Sequence, residues 1–105
     1  MDIRESDWKV FRRLSDVALE RYCDHVLHEV RNVVEGHGTT HERYLKLWKL
    51  LQKRDDTIAN AFSDRRRSRA IIQLLHILNE DLLTEAEINQ FSIDLQEQVE
   101  ALRRI

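Results

Sequence analysis

An all-α bundle of five or six helices, built on three long core helices in a single domain, is what the sequence predicts. Three observations carry that expectation. The 105 residues hold two glycines and no proline, so almost nothing in the chain fixes the tight hairpin turns a small β fold needs. Apolar residues recur at spacings of three and four, which places them on single faces of helices. Thr39 with Glu42, and Thr84 with Glu87, form two capping boxes, the reciprocal hydrogen-bond pattern that opens helices.

In chain order, Ser6 is expected to cap a short first helix with Asp7 in its first turn, where negative charge suits the helix dipole. Trp8, Phe11 and Leu14 share one face of it. Ser15 and Asp16 then interrupt the pattern and can cap a second helix, whose stripe runs through Leu19, Tyr22, Cys23, Val26, Val30, Val33 and Val34. Gly36 or Gly38 closes it, because glycine takes the left-handed conformation without a Cβ clash. The third helix opens at Thr39 and aligns Tyr44, Leu47, Trp48, Leu51, Ile58 and Phe62 as a core stripe, broken by one polar step at Arg54 and Asp55. Ser63 and Asp64 favour caps over helix interiors, so a fourth helix with Ile71, Leu74, Leu75 and Leu78 is expected to start there. A continuous helix from Thr40 to about Glu80 is the competing reading. Asn79, Glu80 and Asp81 end the fourth helix. Thr84 then opens a short helix with Ile88 and Phe91, and Ser92 caps a last one with Leu95, Val99 and Leu102.

Composition sets further bounds. One chain of 105 residues with 34% charged and 42% apolar side chains fits one domain. Its single cysteine, Cys23, has no partner for an intramolecular disulfide, and the charged start MDIRESDWKV is unlike a signal peptide; a reducing cytoplasm is the expected compartment. No apolar run is long enough to cross a membrane.

The charge is unevenly placed. Residues 1–42 hold six Lys/Arg and nine Asp/Glu, residues 43–69 nine and three, and residues 70–105 two and seven, giving −3, +6 and −5. The fold must neutralise the central block internally, or its surface presents it to a partner. The sharpest part is Arg65, Arg66, Arg67 and Arg69, placed by this reading in the first turns of the fourth helix, where each cation opposes the dipole by about 0.3–1 kcal/mol. Together with Arg54 and Asp55 these are the candidate partner- or anion-binding residues, since arginines around a helix N-terminus suit phosphate or carboxylate. The alternative is an ion-pair network that locks the junction.

Other chemistry finds little support. Cys23, His25, His28, His37 and His41 match no metal-ligand spacing, so no metal is expected. Cys23 lacks a spaced base, and Gly36-His37-Gly38 follows a helix where a phosphate loop would follow a strand; neither an enzyme nor a cofactor is expected. Lys46, Lys49, Lys53 and Arg54 beside Trp48 resemble a basic helical face. Nucleic-acid binding by segment 43–69 is therefore the second functional reading, opposed by the acidic flanks, by a pI near 6.2 and by the placement of Trp48 on the core stripe. The first reading is a small non-catalytic interaction or regulatory protein that meets a protein partner or another copy of itself. Val17, Leu27, Ile72 and Ile77 lie off the main stripes and supply apolar surface for it.

Overall fold

The computed structural model describes residues 3–105. Its five α-helices are α1 (Glu5–Val34), α2 (Thr40–Phe62), α3 (Ala70–Asn79), α4 (Glu85–Ile88) and α5 (Ile93–Arg103), with a 3₁₀ turn at Arg67–Arg69; no strand occurs among the described residues. No helix is long and apolar enough to cross a membrane.

The break expected at Ser15 and Asp16 is absent. α1 runs unbroken for 30 residues from an N-cap at Arg4, with Ser6 inside the helix. Packing overrides the local signal here, because Phe11, Leu14, Ser15, Ala18, Tyr22 and Val26 form one buried stripe across the expected joint. Ser15 is small enough to be enclosed at 3% exposure, while Asp16 points outward to accept from Arg65 at 2.8 Å. Gly38 is the glycine with left-handed backbone, φ +110°. A Cβ at Gly36 would stand 2.9 Å from the Asn32 carbonyl oxygen, so that position needs glycine for close approach.

α2 opens on the Thr39–Glu42 capping box and stops at Phe62. Ser63 is extended and Asp64 left-handed at φ 51°, which settles the break against one continuous helix. The next helix starts later than expected. Arg65 and Arg66 lie in the connection, Arg67–Arg69 form the 3₁₀ turn, and α3 begins at Ala70. Gln73, fully buried, donates to the Ser63 carbonyl at 2.7 Å and ties α3 to the end of α2. α3 closes on Asp81 at φ 55°. The Asp81 amide bonds the Leu78 carbonyl and the Leu82 amide the Ile77 carbonyl, a Schellman closure sealed by the buried side chains of Ile77 and Leu82.

The core lies at one end of the molecule. Phe11, Leu14 and Ala18 of α1 meet Leu74, Ile77 and Leu78 of α3 and Phe91, Leu95 and Val99 around α5. α2 contributes one fully buried residue, Ala61, with Ile58 and Phe62 packed against the cluster. The other halves of α1 and α2 project as a two-helix arm. Its length shows in the 52 × 26 × 24 Å dimensions and a radius of gyration of 16.3 Å, against about 13 Å for a compact chain of this size. Tyr44, Trp48 and Leu51, expected in the core, therefore stand 62, 53 and 42% exposed. The cause is length: α3 has 10 residues and α2 has 23, so α3, about 15 Å long, ends before it reaches them. Of the residues expected off the main stripes, Leu27 and Ile72 are exposed, Val17 is half-buried and Ile77 is buried.

Candidate functional site

The arginines are answered from within the chain. Arg65 donates to Asp16 at 2.8 Å and to the Arg12 carbonyl at 3.1 Å. Arg67 donates to Glu5 at 2.8 Å and to the Ile3 carbonyl at 2.9 Å. Asp64 accepts from Arg66 at 2.9 Å and from Arg69 at 3.2 Å, and these guanidinium groups, Arg66 foremost, hold its carboxyl below the usual carboxylate range. The left-handed turn at Asp64 thus places one carboxylate between two cations ahead of α3, and the dipole of α3 meets neutralised charge.

Arg54 is a separate feature. Its Nε and Nη2 donate to both oxygens of Glu29 at 2.9 and 2.7 Å, a bidentate clamp between α1 and α2. That hydrogen bonding lowers the Glu29 pKa. Glu29 lies thirteen residues from Asp16 on α1, about 20 Å along the axis; the polar step and the arginine cluster form two sites. Asp55 is exposed and has no ion-pair partner among the described residues. It continues the line of Tyr44, Trp48 and Leu51 by one turn.

A further ion pair, between α1 and the capping box of α4, escaped sequence reasoning. Arg21 donates to both oxygens of Glu87 at 2.6 and 3.0 Å and to the Leu82 carbonyl at 2.8 Å. Glu87 also accepts from the Thr84 amide at 2.8 Å. Arg21 first, and the Thr84 amide second, hold Glu87 down to about 2 from 4.5. A carboxylate depressed in the folded state stabilises fully above its unfolded pKa, and that stabilisation fades as pH falls from about 4.5 towards about 2. With the Arg21 side chain 39% exposed, screening reduces the contribution to about 1–2 kcal/mol. Denaturant melts of wild type and Glu87→Gln should differ by that amount at pH 7 and converge near pH 2; a gap independent of pH would refute the assignment.

An uncommitted apolar surface lies on the arm. Val34 of α1 and Thr40, Arg43, Tyr44 and Leu47 of α2 line a shallow crevice of about 210 Å³, where Arg43 donates to the Val34 carbonyl at 2.6 Å. Seven residues, two turns, down each helix from Val34 and Tyr44 come Leu27 and Leu51, so these share the crevice's face. Trp48 stands between Tyr44 and Leu51, and Val30 turns inward against the core. The outcome is a ladder of Val34 and Leu27 on α1 and Tyr44, Trp48 and Leu51 on α2, on the outer side of a two-helix arm. These five side chains are 42–67% exposed. Sequence spacing identified the stripe; its lack of cover depends on where α3 stops.

The remaining candidates do not assemble. His25, His28, His37 and His41 are exposed and Cys23 is half-buried, and the described residues contain no group of three His, Cys, Asp or Glu side chains able to hold a metal. The crevice between α3 and α5, about 100 Å³, is lined by Leu74, Leu78, Phe91, Leu95 and Val99, which are core residues. Comparison of the chain with protein-family models, with curated proteins and with solved structures finds no match, so function has to be read from the chemistry of the arm and the arginine junction.

Proposed function

We propose that the chain is a small non-catalytic interaction protein whose arm docks a protein partner through the Val34, Tyr44, Trp48, Leu51 and Leu27 face. One observation carries this reading: two aromatic and three aliphatic side chains stand open on adjoining helices, at the upper end of the apolar patch a monomer normally exposes. Tyr and Trp favour such a role, since each brings a large apolar area at little conformational cost. The arginine cluster takes a structural part here, because each guanidinium already has an acidic or carbonyl acceptor in the chain.

Nucleic-acid binding draws support from the exposure of Trp48 and of Lys46, Lys49 and Lys53. Helical spacing weakens it. Lys46, Lys49 and Lys53 line one side of α2 and Tyr44, Trp48 and Leu51 roughly the opposite side, so cations and aromatics do not share a stacking groove. An absence of binding to single- or double-stranded probes at low salt removes this reading.

The docking face is tested by a photo-crosslinking residue at position 48, with position 93 as control; Ile93 is 70% exposed on α5. A crosslinked protein product at 48, absent at 93 and lost on Leu51→Glu, is the expected result. Leu51→Glu should leave the melting curve nearly unchanged, since exposed substitutions cost about 0.5 kcal/mol or less. Equal labelling at both positions would refute the face, and so would a product that persists in Leu51→Glu.

A further inference from the structure

We infer that the occupant of the arm's apolar face is the arm of a second copy of this chain, packed antiparallel to form a four-helix bundle about a two-fold axis near Leu27 and Leu51. This rests on the docking reading above and names the partner. Three features point to it.

The first is area. Leu27, Val34, Tyr44, Trp48 and Leu51, at 67, 49, 62, 53 and 42% exposure, leave roughly 500 Å² of apolar surface open, the two aromatics supplying about half. The stems of Arg31 and Gln52 along its edges bring the face towards the ~800 Å² per partner of a standard interface. A partner with the same flat ladder covers all of it at once.

The second is shape. Two adjoining helices open on one side are half of a four-helix bundle, and a second identical pair supplies the missing half with side chains of the same spacing. A two-fold axis makes one patch serve both sides and closes the assembly at two chains. The arm stands clear of the core end, since α3 reaches only the C-terminal part of α2, and so nothing in the chain obstructs the second copy.

The third is charge, and it sets the direction. Towards the tip from the Leu27–Leu51 level, the edge of the face carries Arg31; towards the core it carries Asp24 and Asp55, all exposed. A parallel pairing leaves the carboxylates of the two arms at one level. An antiparallel pairing brings Arg31 of each arm onto Asp24 of the other, twice per dimer. Asp55, the one acidic member of the polar step without a partner in its own chain, then faces the tip of its neighbour.

Sedimentation equilibrium of the full chain across a wide concentration range tests the assembly, with Trp48 emission recorded in a Trp8→Phe background. A monomer–dimer equilibrium in which dilution shifts Trp48 emission to the red is the expected result. Trp48→Glu should weaken the dimer at least ~30-fold while leaving the helical circular dichroism signal intact. Arg31→Glu alone and Asp24→Lys alone should each weaken it about tenfold, and the double variant should recover most of the loss. A monomer at every concentration overturns self-association and leaves the docking face to the crosslinking result. A dimer indifferent to Trp48→Glu overturns both. Single charge variants that dimerise as well as wild type overturn the antiparallel arrangement.

Discussion

Phe11→Ala should cost about 3–5 kcal/mol, whereas Trp48→Ala, measured at dilutions where chains are separate, should change stability by about 1 kcal/mol or less. The two aromatics have a similar standing in the sequence, each on the apolar stripe of a helix. Their surroundings differ. Phe11 is 1% exposed, stacked on Trp8 at 5.9 Å and enclosed by the core that joins α1 to α3 and α5. Truncation there opens a cavity that backbone on all sides keeps from collapsing. Trp48 is 53% exposed, and alanine in its place is the better helix former. With a domain of this size stable by about 5–10 kcal/mol, Phe11→Ala should melt more than ~15 °C below wild type. At high concentration the order changes for Trp48→Ala, because loss of the dimer removes stabilisation that grows with the logarithm of concentration. Thermal melts of both variants at two concentrations separated by a hundredfold check this. A concentration-independent Trp48→Ala deficit as large as that of Phe11→Ala would mean that the arm is part of the core.

That contrast also marks what was legible in the sequence. Both capping boxes and the stop at Ser63 and Asp64 were readable because a cap is settled within four or five residues, and the structure holds all three. The helical stripes were readable because periodicity is local. Ser15 was misread as a cap, since a serine's preference is small beside the burial of Phe11, Leu14, Ala18 and Tyr22 on both sides of it. The delayed start of α3 at Ala70 was hidden because arginines fit a 3₁₀ turn as well as a first helical turn, and the choice follows from acceptors at Ile3, Glu5 and Asp16, about fifty to sixty-four residues away. The surface character of Tyr44, Trp48 and Leu51 was invisible for a related reason: a stripe records which side of a helix is apolar, and only the length and position of α3 decide how much of that side is covered. The same gap conceals the Arg21–Glu87 pair, since Glu87 in a capping box needs no second partner to explain it.

A link across 85 residues joins Asp7 to Ser92, and its loss should be among the costlier polar changes in the protein. Asp7, 3% exposed, accepts from the Ser92 amide and the Ser92 hydroxyl, each at 2.7 Å. The hydroxyl oxygen in turn accepts from the Leu95 amide at 3.2 Å, capping α5. A buried carboxylate is expensive unless hydrogen bonds and local fields compensate it. Here it lies in the first turn of α1 and against the first turn of α5, so two helix N-termini present their positive ends to one negative charge. The relay fixes the angle between the first and last helices and closes the core over Phe91 and Leu95. Asp7→Ala strands a buried amide and a buried hydroxyl, at a cost of about 2–4 kcal/mol for charged hydrogen bonds lost and donors left unmet. Ser92→Ala removes the hydroxyl bond and the α5 cap while Asp7 keeps the amide, and should cost about 1–2 kcal/mol. Because both changes break one relay, the double variant should fall short of the sum by at least about 1 kcal/mol. Strict additivity in denaturant melts would show that Asp7 and Ser92 act independently, and the account of α5 as a helix seated on the charge of α1 would then fail.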